Sequence, residues 1–203
     1  YLDESRVIND TIYDKINKYF HEENNSPTTT GRVDFFNDNK EYFFLTEDSS
    51  YSIKSREIND KIETLHTRTG AISESFEKFI KPMKFNYTED IHILDICTGL
   101  GYNTTAMIHD FQENTDETTN LVVDCMEISK ATLAAGILVP SPIPAHNIMK
   151  KAIEDSLIYE GYIINPQEKT QIPENIKINI YIADARCAIR QLPDNYYDAI
   201  FLD

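Results

Sequence analysis

The stretch that most constrains the fold is residues 91–103, Ile-His-Ile-Leu-Asp95-Ile-Cys97-Thr-Gly99-Leu-Gly101-Tyr-Asn103. An apolar run ends in a carboxylate, and two glycines then lead into a helix-forming segment. Strand, tight turn and helix follow one another within about a dozen residues, the layout of a nucleotide-cradling turn. The same grammar continues to the end of the chain, predicting strands at 91–96, 121–126, 177–183 and 197–202 and helices at 102–112, 130–138, 145–160 and 185–192. Strands alternating with helices imply a parallel sheet covered on both faces. Pro140, Pro142 and Pro144 break the second crossover into two helices, Gly161 ends the later one, and 162–176 reads as a polar loop.

Ahead of residue 91 the pattern differs. Val7, Ile8, Ile12, Ile16, Tyr19 and Phe20 recur at helical spacing, so 4–20 reads as an amphipathic packing helix. Residues 21–34, with Asn24-Asn25-Ser26-Pro27 and a threonine run, read as a polar linker. Tyr42–Thr46 and Tyr51–Ser55 flank a polar turn and predict a hairpin. Ile58, Ile62 and Leu65 suggest a helical turn or two, and after Gly70 the residues Ile72, Phe76, Phe79 and Ile80 mark a second helix that Pro82 stops. The expected division is an N-terminal extension at 1–85 and a sheet domain at 86–203.

With 203 residues, 41% of them hydrophobic, the chain can bury one sizeable core and carry a small extension. A formal charge of −15, from 34 acids against 19 bases, predicts repulsion from phosphate backbones unless the bases gather on one face. Cys97, Cys125 and Cys187 stand far apart without a Cys-x-x-Cys, so they read as buried reduced thiols of a cytoplasmic protein rather than a zinc site or disulfide framework. His21, His92, His109 and His146 lack metal-ligand spacing, and no metal is expected. No secretory signal is present and no apolar run approaches the ~18 residues that span a membrane. Starting at Tyr1 and ending directly after an apolar run, the chain reads as part of a longer protein.

Ligands of open parallel sheets bind beyond the carboxyl ends of the strands. Four carboxylates end the predicted strands: Asp95, Glu127, Asp184 and Asp203. Gly99 and Gly101 let the backbone turn sharply and approach a ligand, and Glu127 is placed to accept both hydroxyls of a ribose. Asp124, inside its strand, points at a neighbour or solvent. A dinucleotide fold accounts for Gly99, Gly101 and Glu127 but puts Thr104 where its third glycine belongs and leaves Asp95 without a role. A carboxylate four residues before the first glycine suits a cationic ligand such as S-adenosylmethionine, which carries an ammonium and a sulfonium. Tyr102 and Asn103 begin the following helix, where they can contact that cofactor; Tyr102 equally suits a packing role.

These residues resemble the class I methyltransferases that use S-adenosylmethionine. The family motif acid-x-Gly-x-Gly-x-Gly is matched by Asp95, Gly99 and Gly101 and departs at Cys97, where its first glycine belongs. The resemblance assigns Glu127 to the ribose and Asp184, in Ile182-Ala183-Asp184-Ala185, to the neighbourhood of the adenine. A narrower resemblance covers roughly residues 40–203, through Phe43-Phe-Leu-Thr-Glu-Asp-Ser-Ser-Tyr51-Ser-Ile, Glu63-Thr-Leu-His66, Gly70-Ala71, Glu74-Ser75 and Ile200-Phe-Leu-Asp203. It is to a family that acts on transfer RNA, whose best-known member completes 5-methylaminomethyl-2-thiouridine at the wobble position and is fused to an oxidase domain. No oxidase domain is visible here. The resemblance implies that His66 closes over the cofactor and that Asp203, leading into the active-site loop, is the substrate-side catalytic residue. It also implies a sheet of seven strands, the last three beyond this sequence.

The expected fold is therefore α/β, a Rossmann-like class I methyltransferase sheet through its fourth strand with an N-terminal helix and β-hairpin extension. The expected activity is methylation of an aminomethyl group on a transfer RNA wobble uridine. No basic helix or aromatic-interleaved patch marks a nucleic-acid groove, so RNA contacts are expected from scattered groups such as Arg32, Lys54, Arg56 and Arg68. Two rival readings are an aminopropyl transferase of the spermidine-synthase type, using decarboxylated S-adenosylmethionine, and a non-catalytic interaction module that retains the fold.

Overall fold

The computed structural model describes residues 10–22, 28–54, 64–115, 118–166 and 170–203. Four parallel strands form its sheet: β3 (Ile91–Ile96), β4 (Leu121–Glu127), β5 (Ile176–Ile182) and β6 (Ala199–Leu202), in the order β5-β4-β3-β6. The central β3 and β4 carry near-continuous apolar runs, as parallel strands buried on both faces require, whereas the edge strand β5 alternates isoleucine with Lys177, Asn179 and Tyr181, and β6 leaves Ile200 and Leu202 exposed. The first strand of the sheet lies between its second and its fourth, so the direction of winding reverses between β3 and β6. This is the Rossmann-like class I methyltransferase arrangement through its fourth strand.

One face of the sheet carries the large core. Helices α5 (Tyr102–Asn114), α6 (Lys130–Leu138) and α7 (Ala145–Tyr159) cover it, and Leu100, Met107, Phe111, Leu133, Met149, Ile153 and Phe201 are almost fully buried. The opposite face holds a smaller cluster of Leu94, Ile96 and Met126 under Ala185, Ala188, Leu192 and Tyr197. The short α8 (Ala185–Ala188) and the 3₁₀ turn after it replace the longer helix expected at 185–192. Asp124 points into this second face, where its carboxylate accepts from Asn179 Nδ2 and from the Tyr197 hydroxyl, both at 2.6 Å.

The extension joins the same large core. Helix α1 (Asp10–His21) buries Ile12, Ile16 and Phe20, while the part of the expected helix before Asp10 lies outside the described residues. The expected linker at 21–34 is corrected in its last part: α2 (Thr29–Asp38) begins within it, with the Thr28 hydroxyl accepting from the Gly31 N–H at 3.0 Å as an N-cap, while 23–27 lie outside the described residues. Its buried face carries Arg32 and Phe36, with Asn39 buried at its C-cap, while Val33 is exposed, so hydropathy gives no amphipathic signal. Strands β1 (Phe43–Leu45) and β2 (Tyr51–Ile53) form the expected hairpin, antiparallel with Phe43 opposite Ile53. The expected turns around Ile58 and Ile62 lie outside the described residues. After Gly70, α3 (Ala71–Ser75) widens into a π-helical turn (Phe76–Ile80) and closes with α4 (Lys81–Met83), which contains Pro82.

Candidate functional site

The site lies where β3, β4 and β6 end, at the reversal of the sheet. Beyond Ile96 the backbone turns left-handed at Cys97 (φ 63°), Gly99 (φ 59°) and Gly101 (φ 86°). The Thr98 N–H ties this loop to the Met126 carbonyl of β4 at 3.1 Å, and the Gly101 N–H returns to the Thr98 carbonyl at 2.9 Å. A Cβ on Gly101 would lie 2.7 Å from Met149 Cγ, so α7 requires that glycine. A Cβ on Gly99 would meet no atom closer than 3.7 Å, leaving the outer side of the turn open. Cys97 takes a left-handed conformation that favours glycine, which costs an L-residue about 1–2 kcal/mol. Partial burial, then Glu127, Asp95 and Asp203, push its thiol pKa up. Contrary to the expectation of three buried thiols, Cys97 and Cys187 are exposed and only Cys125 is buried.

Asp95 is fully buried on the side of β3 that faces α5. Thr104 Oγ1, in the first turn of α5, donates to Asp95 Oδ2 at 2.6 Å, whereas Asp95 Oδ1 is sealed from solvent and has no hydrogen-bond partner. Burial pushes this carboxyl up to about 7; Thr104 and Asn103 oppose the shift, and Asp203 and Glu127 add to it. A buried acceptor without a donor costs about 1–3 kcal/mol, and a positive charge settling over the turn would offset that cost. At the end of β4, Glu127 holds the turn from the side, its Oε2 accepting from the Gly99 N–H and its Oε1 from the Ser129 N–H, both at 3.0 Å. Asp184 stands after β5, one strand further out, and caps α8. It accepts from the Arg186 N–H at 3.0 Å and from the Arg186 guanidinium, which together hold it below the usual carboxylate range.

Asp203 follows β6, with Lys78 Nζ 4.0 Å from its Oδ1. Lys78, on the π turn, is also ion-paired with Glu74. His66 reaches the same corner from the segment after the hairpin. Its ring stands edge-on to Tyr102 at 5.4 Å, and its Nδ1 is sealed and unpartnered. Burial lowers its pKa against the pull of Asp203 and Glu74, which favours the neutral ring. Tyr102 faces the hairpin: its hydroxyl donates to the Tyr51 carbonyl at 2.9 Å and accepts the Tyr51 N–H at 3.1 Å. Asn103 Oδ1 accepts from Ser75 Oγ at 2.7 Å, tying α5 to α3. The structure thus gathers Asp95, Gly99, Glu127, Asp203 and His66 around one corner, while Asp184 sits one strand away and Tyr102 joins the site to the extension.

Several residues at this corner carry no sequence signal as a site. Thr104 is legible only as a departure from a dinucleotide fingerprint, yet it supplies the hydrogen bond on Asp95. His146 braces the turn from behind, its Nε2 3.2 Å from the Leu100 carbonyl. Glu74 and Lys78 are spaced as an ordinary i,i+4 pair, and only the fold brings them to Asp203. Among the described residues no group of His, Cys, Asp and Glu could hold a metal ion. No described helix is long and apolar enough to cross a membrane. Of the cations expected to meet RNA, Arg32 is corrected, because it is buried in an ion pair with Glu154. Lys54 donates to the Glu41 carbonyl at 2.7 Å, Arg68 is exposed, and Arg56 lies outside the described residues.

A crystal structure of MnmC2 from Aquifex aeolicus matches this chain with a TM-score of 0.54 and 24% identity, over 78% of this chain and 47% of that one. The likeness is one of fold. An uncharacterized protein of Methanocaldococcus jannaschii is 30% identical over 158 residues, which is 78% of this chain. The chain spans less than half the length of either protein, 40% of the archaeal one and 47% of the MnmC2 chain. No family model matches.

Proposed function

We propose that the chain is the cofactor-binding part of an S-adenosylmethionine-dependent methyltransferase that N-methylates an aminomethyl group on a transfer RNA wobble uridine. The observation that carries the cofactor is Asp95, a buried strand-end carboxylate with one unpartnered oxygen beside an open glycine turn. Such a group favours a cationic ligand over a pyrophosphate. Glu127, at the end of the next strand, supports the ribose, and Asp184 supports the region of the adenine. The wobble-uridine substrate rests on the resemblance of residues 40–203, and the fold shared with MnmC2 agrees with it.

When bound, S-adenosylmethionine supplies an electrophilic methyl group. The chain has to align a nitrogen lone pair with that carbon. An alkylamine with a lysine-like pKa near ~10 is mostly protonated at neutral pH, so it must lose a proton before it attacks. Asp203 projects from β6 beside the turn and is assigned the task of orienting the amine and receiving its proton. His66 and the hairpin close the corner against water, Tyr102 holds the hairpin in place, Asn103 ties α5 to α3, and Thr104 orients Asp95.

Transfer of a labelled methyl group to transfer RNA carrying the aminomethyl uridine tests this reading. The wild-type protein labels that RNA, whereas Asp203→Asn binds cofactor normally and labels it far more slowly; full rate in Asp203→Asn removes Asp203 from the chemistry. One observation favours the aminopropyl transferase instead. Glu74, Asp95, Glu127 and Asp203 make an acid-rich corner, which suits a more cationic donor and a polyamine acceptor.

A further inference from the structure

Among the described residues, Lys78 is the cation that meets this acidic corner. It lies on the widened turn after α3, half-exposed, and reaches across from the extension to the end of β6. Its ammonium has three donors. Glu74 engages it closely, with the hydrogen bond from Lys78 the main influence lowering the Glu74 pKa against burial. The contact with Asp203 Oδ1, at 4.0 Å, is longer than a hydrogen bond, so the charge faces the corner with donor capacity to spare. Among the described residues, the other ionisable groups coupled to this corner are the acids Asp95, Glu127, Asp203, Glu74 and Asp48, with Cys97 and His66.

An S-adenosyl ligand with an intact amino acid presents an ammonium, a sulfonium and a carboxylate. The acids account for the two cations but would repel the carboxylate, and among the described residues Lys78 is the group placed to receive it. We infer that Lys78 is the specificity residue for that carboxylate, and so selects S-adenosylmethionine over its decarboxylated form. The inference rests on the cofactor reading above and decides between that reading and the aminopropyl transferase. Its energetic basis is a charge-assisted hydrogen bond, which corresponds to roughly tenfold or more in affinity.

Calorimetric titration of three ligands into the whole chain tests it: S-adenosylmethionine, decarboxylated S-adenosylmethionine and methylthioadenosine, which lacks the amino-acid part. The wild-type chain is expected to prefer S-adenosylmethionine by about tenfold or more over the decarboxylated form. Lys78→Gln should lose that preference by weakening S-adenosylmethionine alone, and Lys78→Arg should restore it. Equal loss for all three ligands in Lys78→Gln would show a structural role and overturn the assignment, as would undiminished binding of S-adenosylmethionine. Tighter wild-type binding of the decarboxylated form overturns both the assignment and the methyl-transfer reading. Failure of the wild-type chain to bind any of the three overturns the cofactor reading itself and the Lys78 assignment with it.

Discussion

Two residues at the turn set a cost against a use. Cys97 holds a left-handed backbone angle that glycine would hold without strain. Cys97→Gly is expected to raise stability by up to about 1 kcal/mol, the relief of strain being partly offset by the entropy of an added glycine; a lower midpoint in urea would contradict it. Asp95 carries a larger cost. Its folded pKa is about 7, well above the ordinary aspartate value, so the folded state holds this proton more tightly than the unfolded chain. Its favourable contribution is present below pH 4 and is lost as pH rises to about 7. Asp95→Asn should therefore match wild-type stability near pH 4 and exceed it by about 2 kcal/mol or more at pH 8. Equal stability of the two at pH 8 would show that burial does not penalise this carboxylate. Destabilisation of this kind is expected where a group is kept for binding rather than for folding.

The elements differ in how openly the sequence announces them. β3 appears at its expected bounds and β4 extends its expectation by one residue, to Glu127, because long apolar runs between polar breaks leave no other reading. The strand-end position of Asp95, Glu127 and Asp203 follows directly. α2 was illegible because it buries Arg32 on its inward face and Asn39 at its C-cap, whose burial depends on partners far away in the chain. The hairpin was legible, but its attachment was not. Asp48 at its tip accepts from the Ser50 N–H at 3.0 Å and, on its other oxygen, from the Ser73 N–H of α3 at 2.7 Å. These bonds, with those of the Ser50 and Thr46 hydroxyls, outweigh burial and lower its pKa to about 2. A depressed acid stabilises the fold above its unfolded pKa and ceases to do so as pH falls through the folded value. Asp48→Ala is expected to cost about 1 kcal/mol at pH 7, modest because the group is partly exposed, and nothing below about pH 2. A cost that persists unchanged at low pH would place the effect in packing rather than in the carboxylate.

At the scale of the whole molecule, the extension is bound to the sheet domain by buried polar contacts as well as by the shared apolar core. Arg32 of α2 pairs with Glu154 of α7 in the interior and also donates to the Asn165 carbonyl, while Tyr13 of α1 meets Thr132 of α6 at 2.5 Å. Glu154→Ala leaves the Arg32 charge buried and is expected to cost about 3–5 kcal/mol, against much less for the paired replacement of Arg32 by Met and Glu154 by Leu. Equal losses for the single and double variants would contradict the pairing. The same attachment places His66, Glu74 and Lys78 over the strand ends, so the corner exists only when extension and sheet fold together. The proposed function depends on binding of a cationic S-adenosyl cofactor at this corner, against the Asp95 carboxylate. The most direct measurement is calorimetric binding of S-adenosylmethionine at pH 6.5 in two buffers of different ionisation enthalpy. A cation beside Asp95 lowers a pKa of about 7, so saturable binding is expected to release a proton, and Asp95→Asn should bind more weakly and release none. No saturable binding, or undiminished binding with the same proton release in Asp95→Asn, would contradict the account.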